Sequence, residues 1–164
     1  MGLPIAAQVY SVREEAAADF EKTMRQLADM GYHGVELAGL YGKSVDEIRA
    51  CLERAGLEAI SAHVPIDEFE NDLDKTVQTY KEIGCKYVVV PYLNQDRWYG
   101  GSQYADTLKT ISRISEKCHE VGMELLYHNH HFEFQTTPEG GYQLDAFYDT
   151  IPSEKLKTEL DLCW

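Results

Sequence analysis

Four segments of this chain share one layout: an amphipathic stretch, a glycine, then a short apolar run. They read MGYHGVELAG, AGLEAISAHV, IGCKYVVVPY and VGMELLYHNH. Gly31, Gly56, Gly84 and Gly122 each fall where a helix would end in a left-handed residue, a conformation glycine adopts without a side-chain clash. A chain built this way alternates helix and strand. Asp19 caps a segment in which Phe20, Thr23, Met24 and Leu27 recur at helical spacing. Ser44 and Glu47 form a capping box ahead of Ile48, Leu52 and Ala55. Leu73, Val77 and Tyr80 mark a third helix, Leu108, Ile111, Ser115 and Cys118 a fourth, and residues 145–151 a shorter fifth that stops at Pro152. Strands are expected at 5–11, 35–38, 58–63, 87–91, 124–130 and 157–163.

Strand starts lie about 30 residues apart, the size of one βα unit, which implies right-handed crossovers and a parallel sheet. Two architectures use that repeat, the doubly wound open sheet and the (β/α)8 barrel. Glu36, His63, His128, His130, Glu159 and Asp161 sit inside or at the ends of apolar strands. A sheet face covered by helices would leave such groups without water, at about 1–3 kcal/mol for each left unpaired. At the mouth of a barrel they can converge on one wet pocket. The first loop, 11–19, also lacks the GxGxxG of dinucleotide-binding sheets. The expected fold is therefore an α/β barrel of the (β/α)8 type, incomplete at six strands and five helices, with residues 1–164 forming a single domain truncated after strand six. A full barrel takes about 250 residues and eight strands. Strands one and six would be open edges, so the chain is expected to be a fragment, to close unusually, or to be covered by another chain such as a second copy of itself.

Twenty-eight acidic residues against fifteen basic ones, a net charge of −13 without a basic cluster, exclude nucleic acid as an expected partner. The apolar runs are far short of the ~20 residues that span a bilayer, so no membrane segment is expected. With no charged-then-apolar leader at the start, the expected compartment is cytoplasmic. Cys51, Cys85, Cys118 and Cys163 are too scattered for a disulfide framework and are expected to be reduced, buried and apolar in character.

The densest constellation is YHNHHFEF, residues 127–134. Side chains alternate along a strand, so His128 and His130 share a face and Tyr127 and Asn129 share the other. Two imidazoles at a strand mouth make half of a divalent-metal site, or they are two hydrogen-bonded groups lining a pocket. In TELDLCW, Glu159 and Asp161 share a face of an apolar strand, where a carboxylate must be paired or metal-bound. Glu159 reads as a structural ion pair low in the barrel, and Asp161, nearer the strand end, as the ligand beside His128. Glu36 and His63 occupy barrel-facing positions as structural or pocket-lining groups. Gln8, Tyr10 and Arg13 at the end of strand one can hydrogen-bond ligand hydroxyls, and Arg13 reads equally as a surface charge among Glu14 and Glu15. The loop 94–103 carries Trp98, Tyr99 and two glycines, a composition that suits stacking on a sugar or capping the next helix.

Taken together, QVYSVRE, MGYHGVELAGLYGKS, AGLEAISAHV, YHNHHFEF and ELDLCW resemble the sugar phosphate isomerase/epimerase family of xylose-isomerase-like TIM barrels, which also contains inosose dehydratases and tagatose epimerases. The resemblance implies acidic and histidine ligands at the C-terminal mouth holding Mn2+, Mg2+ or a similar ion. It also implies a sugar or cyclitol substrate, from which a side-chain base removes a proton beside a carbonyl to give an enediolate. Asp161 matches the strand-six aspartate, and His128 stands where many relatives have a strand-five glutamate. That leaves Glu133, or a group on another strand, as base. Trp164 takes the place of a substrate-contacting histidine, and the ligands of strands seven and eight are absent, so ion affinity is expected to be weak. His128 and Asp161 are thus the expected metal ligands, Glu133 the catalytic residue, and Gln8, Glu36, His63, Trp98, Asn129 and His130 the substrate-binding residues. The expected activity is metal-dependent isomerisation, epimerisation or dehydration. Cleavage of 3-keto-glycosides is a close variant, and a non-catalytic partial barrel needing self-association or a partner is the alternative.

Overall fold

Three helices begin at side chains that close their first turn. Asp19 accepts from the Lys22 amide at 3.0 Å and Asp72 from the Lys75 amide at 3.1 Å, while Ser44 accepts from the Glu47 amide at 3.3 Å and Glu47 from the Ser44 amide at 2.7 Å. Gly56 and Gly84 end two of them with φ of 72° and 108°. These caps belong to a computed structural model that describes residues 3–163.

The chain runs β1 (Ala6–Gln8), α1 (Arg13–Ala18), α2 (Phe20–Asp29), β2 (Gly34–Ala38), α3 (Val45–Ala55), β3 (Glu58–His63), α4 (Ile66–Asn71), α5 (Leu73–Ile83), β4 (Tyr87–Val90), α6 (Tyr104–Glu120), β5 (Glu124–His128), α7 (Gln143–Thr150) and β6 (Lys157–Glu159). All six strands are parallel and lie in chain order. Sequential order is the wall of a barrel; a doubly wound sheet reverses its order at a switch point. The fold is a partial TIM barrel, six parallel strands in a half-barrel with seven helices among the described residues.

Two helices beyond the expected five, α1 and α4, lie in segments that read as loops. Each has six residues, too few to print a helical period; α1 is carried by alanines and α4 follows Pro65 with Asp67 and Glu68 in its first turn. Four strands are shorter than expected, β4 by the single residue Pro91. β1 stops at Gln8 because Val9–Val12 tightens into a 3-10 turn, β5 stops at His128 and β6 at Glu159.

Val35, Leu37, Ala62, Val88, Val90, Leu125 and Tyr127 point outward into the core shared with Met24, Ile48, Val77 and Ile111 of the helices. Glu36, Ser61, His63, His128 and Glu159 take the alternate positions and face the barrel interior. A register shift between Val35 and Glu36 sets Glu36 opposite Ser61. At the two ends of the sheet, Leu3 and Leu162 are 92% and 88% exposed, and Ile5 and Leu160 are also exposed. Cys51, Cys85 and Cys118 are buried as expected; Cys163 is exposed, contrary to expectation, because it lies past the last ladder pair. Among the described residues no helix is long and apolar enough to cross a membrane.

Candidate metal centre

Strand register stacks the interior polar residues into one layer. His128 of β5 pairs with Glu159 of β6, and Gln8 of β1 pairs with Glu36 of β2. Curvature then brings the two ends of the layer together at His63. Glu159 Oε1 lies 2.8 Å from both His63 Nε2 and His128 Nδ1, and the two imidazole centroids are 4.9 Å apart. The same His63 Nε2 is also 3.0 Å from Glu36 Oε1. Glu36 is held in turn by Ser61 Oγ, which donates at 2.6 Å, and by Gln8 Nε2, which donates at 3.1 Å.

Burial opposes charge on His63, but the hydrogen bonds and negative charge of Glu159 and Glu36 outweigh it and raise its pKa to about 9. Burial likewise pushes the Glu159 carboxyl up, and the bonds from His128 and His63 more than reverse this, holding it well below the ordinary carboxylate range. The layer is thus an imidazolium clasped by carboxylates, and its charges are tolerated because each has an opposite or a donor within 3 Å or so.

Above the layer opens a cavity of about 490 Å³ whose wall includes Gln8, Tyr10, His63, Tyr92, His128 and His130. Four expected site residues, Gln8, His63, His128 and His130, therefore meet there. Glu36 lies one contact below, behind His63. Asp161 stands beside the other nitrogen of His128, with Oδ2 3.8 Å from Nε2. Tyr10 is held at the rim by Arg13, whose guanidinium sits 4.6 Å above its ring and donates to its carbonyl at 2.9 Å. Arg13 is thereby a support for the rim.

Three expected site residues point elsewhere. Glu133 is 1% exposed on the opposite side of β5, accepting from Tyr127 Oη at 2.8 Å and from the His130 amide at 2.7 Å. It faces away from the cavity because β5 ends at His128 and the chain turns through residues 132–134. Asn129, 1% exposed, spends its amide on the backbone of Asp161, donating to the carbonyl at 3.1 Å and accepting from the amide at 3.0 Å. That pair replaces the ladder that β6 lacks beyond Glu159. Trp98 is 5% exposed, donates to the Leu93 carbonyl at 3.0 Å, and packs edge-on against Tyr127 and Phe147, so it does not line the central cavity. Trp164 lies outside the described residues.

Glu159 is ion-paired, as expected, but to His63 and His128 and at their level in the barrel. Its face was legible from alternation with Asp161; its depth was not, since only the register His128↔Glu159 shows it level with the histidines. Tyr92, half exposed beside His130 and Phe132 at the rim, carried no sequence signal beyond its place after β4.

His63, His128 and Glu159 each offer one ligand atom, and these atoms all lie within 4.8 Å of one another. Two imidazole nitrogens and one carboxylate oxygen suit a divalent transition ion such as Mn2+ better than Mg2+, which prefers oxygen donors alone. The donor set fits a metal. It contains the expected His128 and adds His63 and Glu159, leaving Asp161 at its margin.

A model of the xylose isomerase-like TIM barrel matches residues 24–164. An inosose dehydratase from Geobacillus kaustophilus (strain HTA426) is 27% identical over 139 residues, which cover 67% of this chain and 43% of that enzyme. The chain thus spans under half the length of this curated relative. Among solved structures, a sugar phosphate isomerase/epimerase from Parabacteroides distasonis ATCC 8503 superposes with a TM-score of 0.83 at 22% identity, covering 100% of this chain and 67% of the other. A xylose isomerase-like TIM barrel protein from Mycobacterium smegmatis, solved in complex with magnesium, superposes at 0.70 with 16% identity, covering 97% and 64%. Sequential parallel strands, a polar inner layer at the strand ends and a family match over most of its length agree: this chain belongs to the xylose isomerase-like TIM barrel family.

Proposed function

We propose that His63, His128 and Glu159 hold a divalent cation, with Asp161 as a further donor, and that the whole protein uses the site to move a proton beside a carbonyl in a sugar or cyclitol. The outcome is an isomerisation, an epimerisation or a dehydration. The observation that carries this proposal is Glu159 Oε1, placed 2.8 Å from each of two imidazoles beneath an open cavity. A bound divalent ion supplies Lewis acidity, stabilising negative charge on a carbonyl oxygen and its neighbouring hydroxyl.

The chain's own groups do the rest. Glu36, Ser61 and Gln8 fix the His63 ring so that it cannot swing out of the layer. His130, on the cavity wall, is the group placed to accept the substrate proton in place of Glu133. Its ring stacks on Phe132 at an interplanar angle of 12°, and its backbone amide is anchored by Glu133, so the acceptor is oriented before substrate arrives. Tyr92 presents a ring to the C–H face of a polyol. The likeness to inosose dehydratases supports this choice, because an inosose is a cyclitol with a carbonyl.

In the same proposal residues 1–164 form one domain, its ligand is a small polyol and not a nucleic acid, and the edges at β1 and β6 are covered by further strands or a second copy. Calorimetric titration with Mn2+ tests the site. The expected result is one ion per chain, lost in His128→Ala; no ion binding by the chain or by the whole protein would reject it.

A further inference from the structure

Phe132 is a partition between two hollows. On one side it stacks on His130, centroids 5.0 Å apart, and meets Tyr92 edge-on at 5.7 Å; both of those residues line the cavity over the histidine–carboxylate layer. On the other side it lines a second hollow of about 260 Å³, together with Gln95, Trp98, Tyr99, Gln135 and Gln143. Three primary amides and three aromatic rings make up this wall. No carboxylate, lysine or arginine is among them, in a chain whose net charge is −13. Such a wall has nothing to attract a metal ion or to neutralise a phosphate.

The wall does match a neutral ring that carries hydroxyls. Each amide both donates and accepts, as each hydroxyl does, and aromatic faces stack on the C–H face of a sugar. Gln143 supplies the second indication. Its Oε1 is buried without a protein partner, at a cost of about 1–3 kcal/mol, and a rotation of the side chain would bring it to a donor in the hollow that Gln143 lines. The Gln143 backbone amide donates to the Gln135 carbonyl at 2.9 Å, which fixes two of the three amides relative to each other. A volume just under the ~300 Å³ at which small-molecule sites begin suits one ring.

We propose that this hollow is a second subsite for a neutral polyhydroxylated ring. The substrate class is then a glycoside, with one ring over the His63–His128–Glu159 layer and its neighbour beyond Phe132. This inference rests on the sugar reading of the central cavity and narrows it. It also gives the aromatic loop after β4 a role: Trp98 and Tyr99 form the floor of the outer subsite.

The test is titration of the chain with maltose, cellobiose, glucose and methyl glucoside, monitored by calorimetry and by saturation-transfer NMR, with and without Mn2+. At least one disaccharide should bind about tenfold tighter than either single-ring sugar, the effect of one stacked ring and one hydrogen bond. Gln143→Leu should remove most of that gain and leave single-ring binding unchanged. Gln95→Leu, on an exposed loop where refolding is not at issue, should remove part of it. Disaccharides that bind no tighter than glucose, or a gain that survives both substitutions, would overturn the subsite. The Mn2+ titration reports separately on the central site: a glutamine-dependent disaccharide preference without ion binding would uphold this inference while rejecting the metal.

Discussion

Glu159 and Glu133 are both carboxylates set into apolar surroundings, on opposite faces of the wall that β5 and β6 form. Their partners differ in kind. Glu159 is held by two imidazoles, groups that can lose a proton, rotate or bind an ion themselves. Glu133 takes its short hydrogen bonds from a phenol and a backbone amide, neither of which gives way at ordinary pH, with the His130 imidazole further off at 3.7 Å; burial with Glu133 alongside pushes the Tyr127 hydroxyl far above its usual range. Exchangeable partners make a site that can trade its internal bonds for a ligand. Fixed partners make a brace.

The sharpest way to break this contrast is to exchange the consequences of the two substitutions. Glu159→Ala should weaken Mn2+ binding by at least ~100-fold, beyond the ~10- to 100-fold typical of an outer-shell partner, with a smaller effect on folding than Glu133→Ala. Calorimetry checks the first half and denaturant unfolding the second. Glu133→Ala should do the reverse. It leaves the Tyr127 hydroxyl and the His130 amide buried without an acceptor, for a loss of about 2–4 kcal/mol in unfolding free energy. If Glu133→Ala is as stable as the parent, Glu133 is no brace.

A pH series sharpens the comparison further. His63 has a folded pKa of about 9 against an ordinary value near 6.5, so its stabilising contribution is fully present below about pH 6.5 and is lost as pH rises through 9. Without divalent ions, stability should therefore fall across that window by about 3 kcal/mol, and His63→Asn should abolish the slope. A flat profile in the parent protein would count against the imidazolium. The smallest effect belongs to the brace side. Trp98→Phe removes one indole donor from the Leu93 carbonyl and should cost about 1 kcal/mol, visible in the melting temperature but not in ion affinity.

The alternation of helices and strands was legible because each glycine, cap and apolar stripe is a local signal. Asp19, Ser44 with Glu47, Gly56 and Gly84 behave as their neighbours in sequence imply. The six-residue helices α1 and α4 were not, since a segment under two turns shows no period. At the site, alternation placed Gln8, Glu36, His63 and His128 on the inner face. It ranks Asp161 above Glu159 as the ligand beside His128, whereas which of two same-face residues sits level with His128 depends on where β6 stops. Glu133 lies away from the expected pocket for a related reason: the end of β5 at His128 lets the chain turn, and strand parity has no hold on residues past that point. Composition suits Trp98 to stacking on a sugar or capping the next helix, whereas its indole N–H is satisfied by a carbonyl five residues back.

Asn129 carries a consequence for motion. Its two hydrogen bonds to Asp161 tether the segment after β6 to the end of β5 where regular pairing has ceased. The Asp161 amide should then exchange with solvent deuterium at a rate set by the opening of β5, far more slowly than its exposed neighbours. Breathing of the rim on the His128 side becomes a concerted event, in which both strand tails let go or neither does.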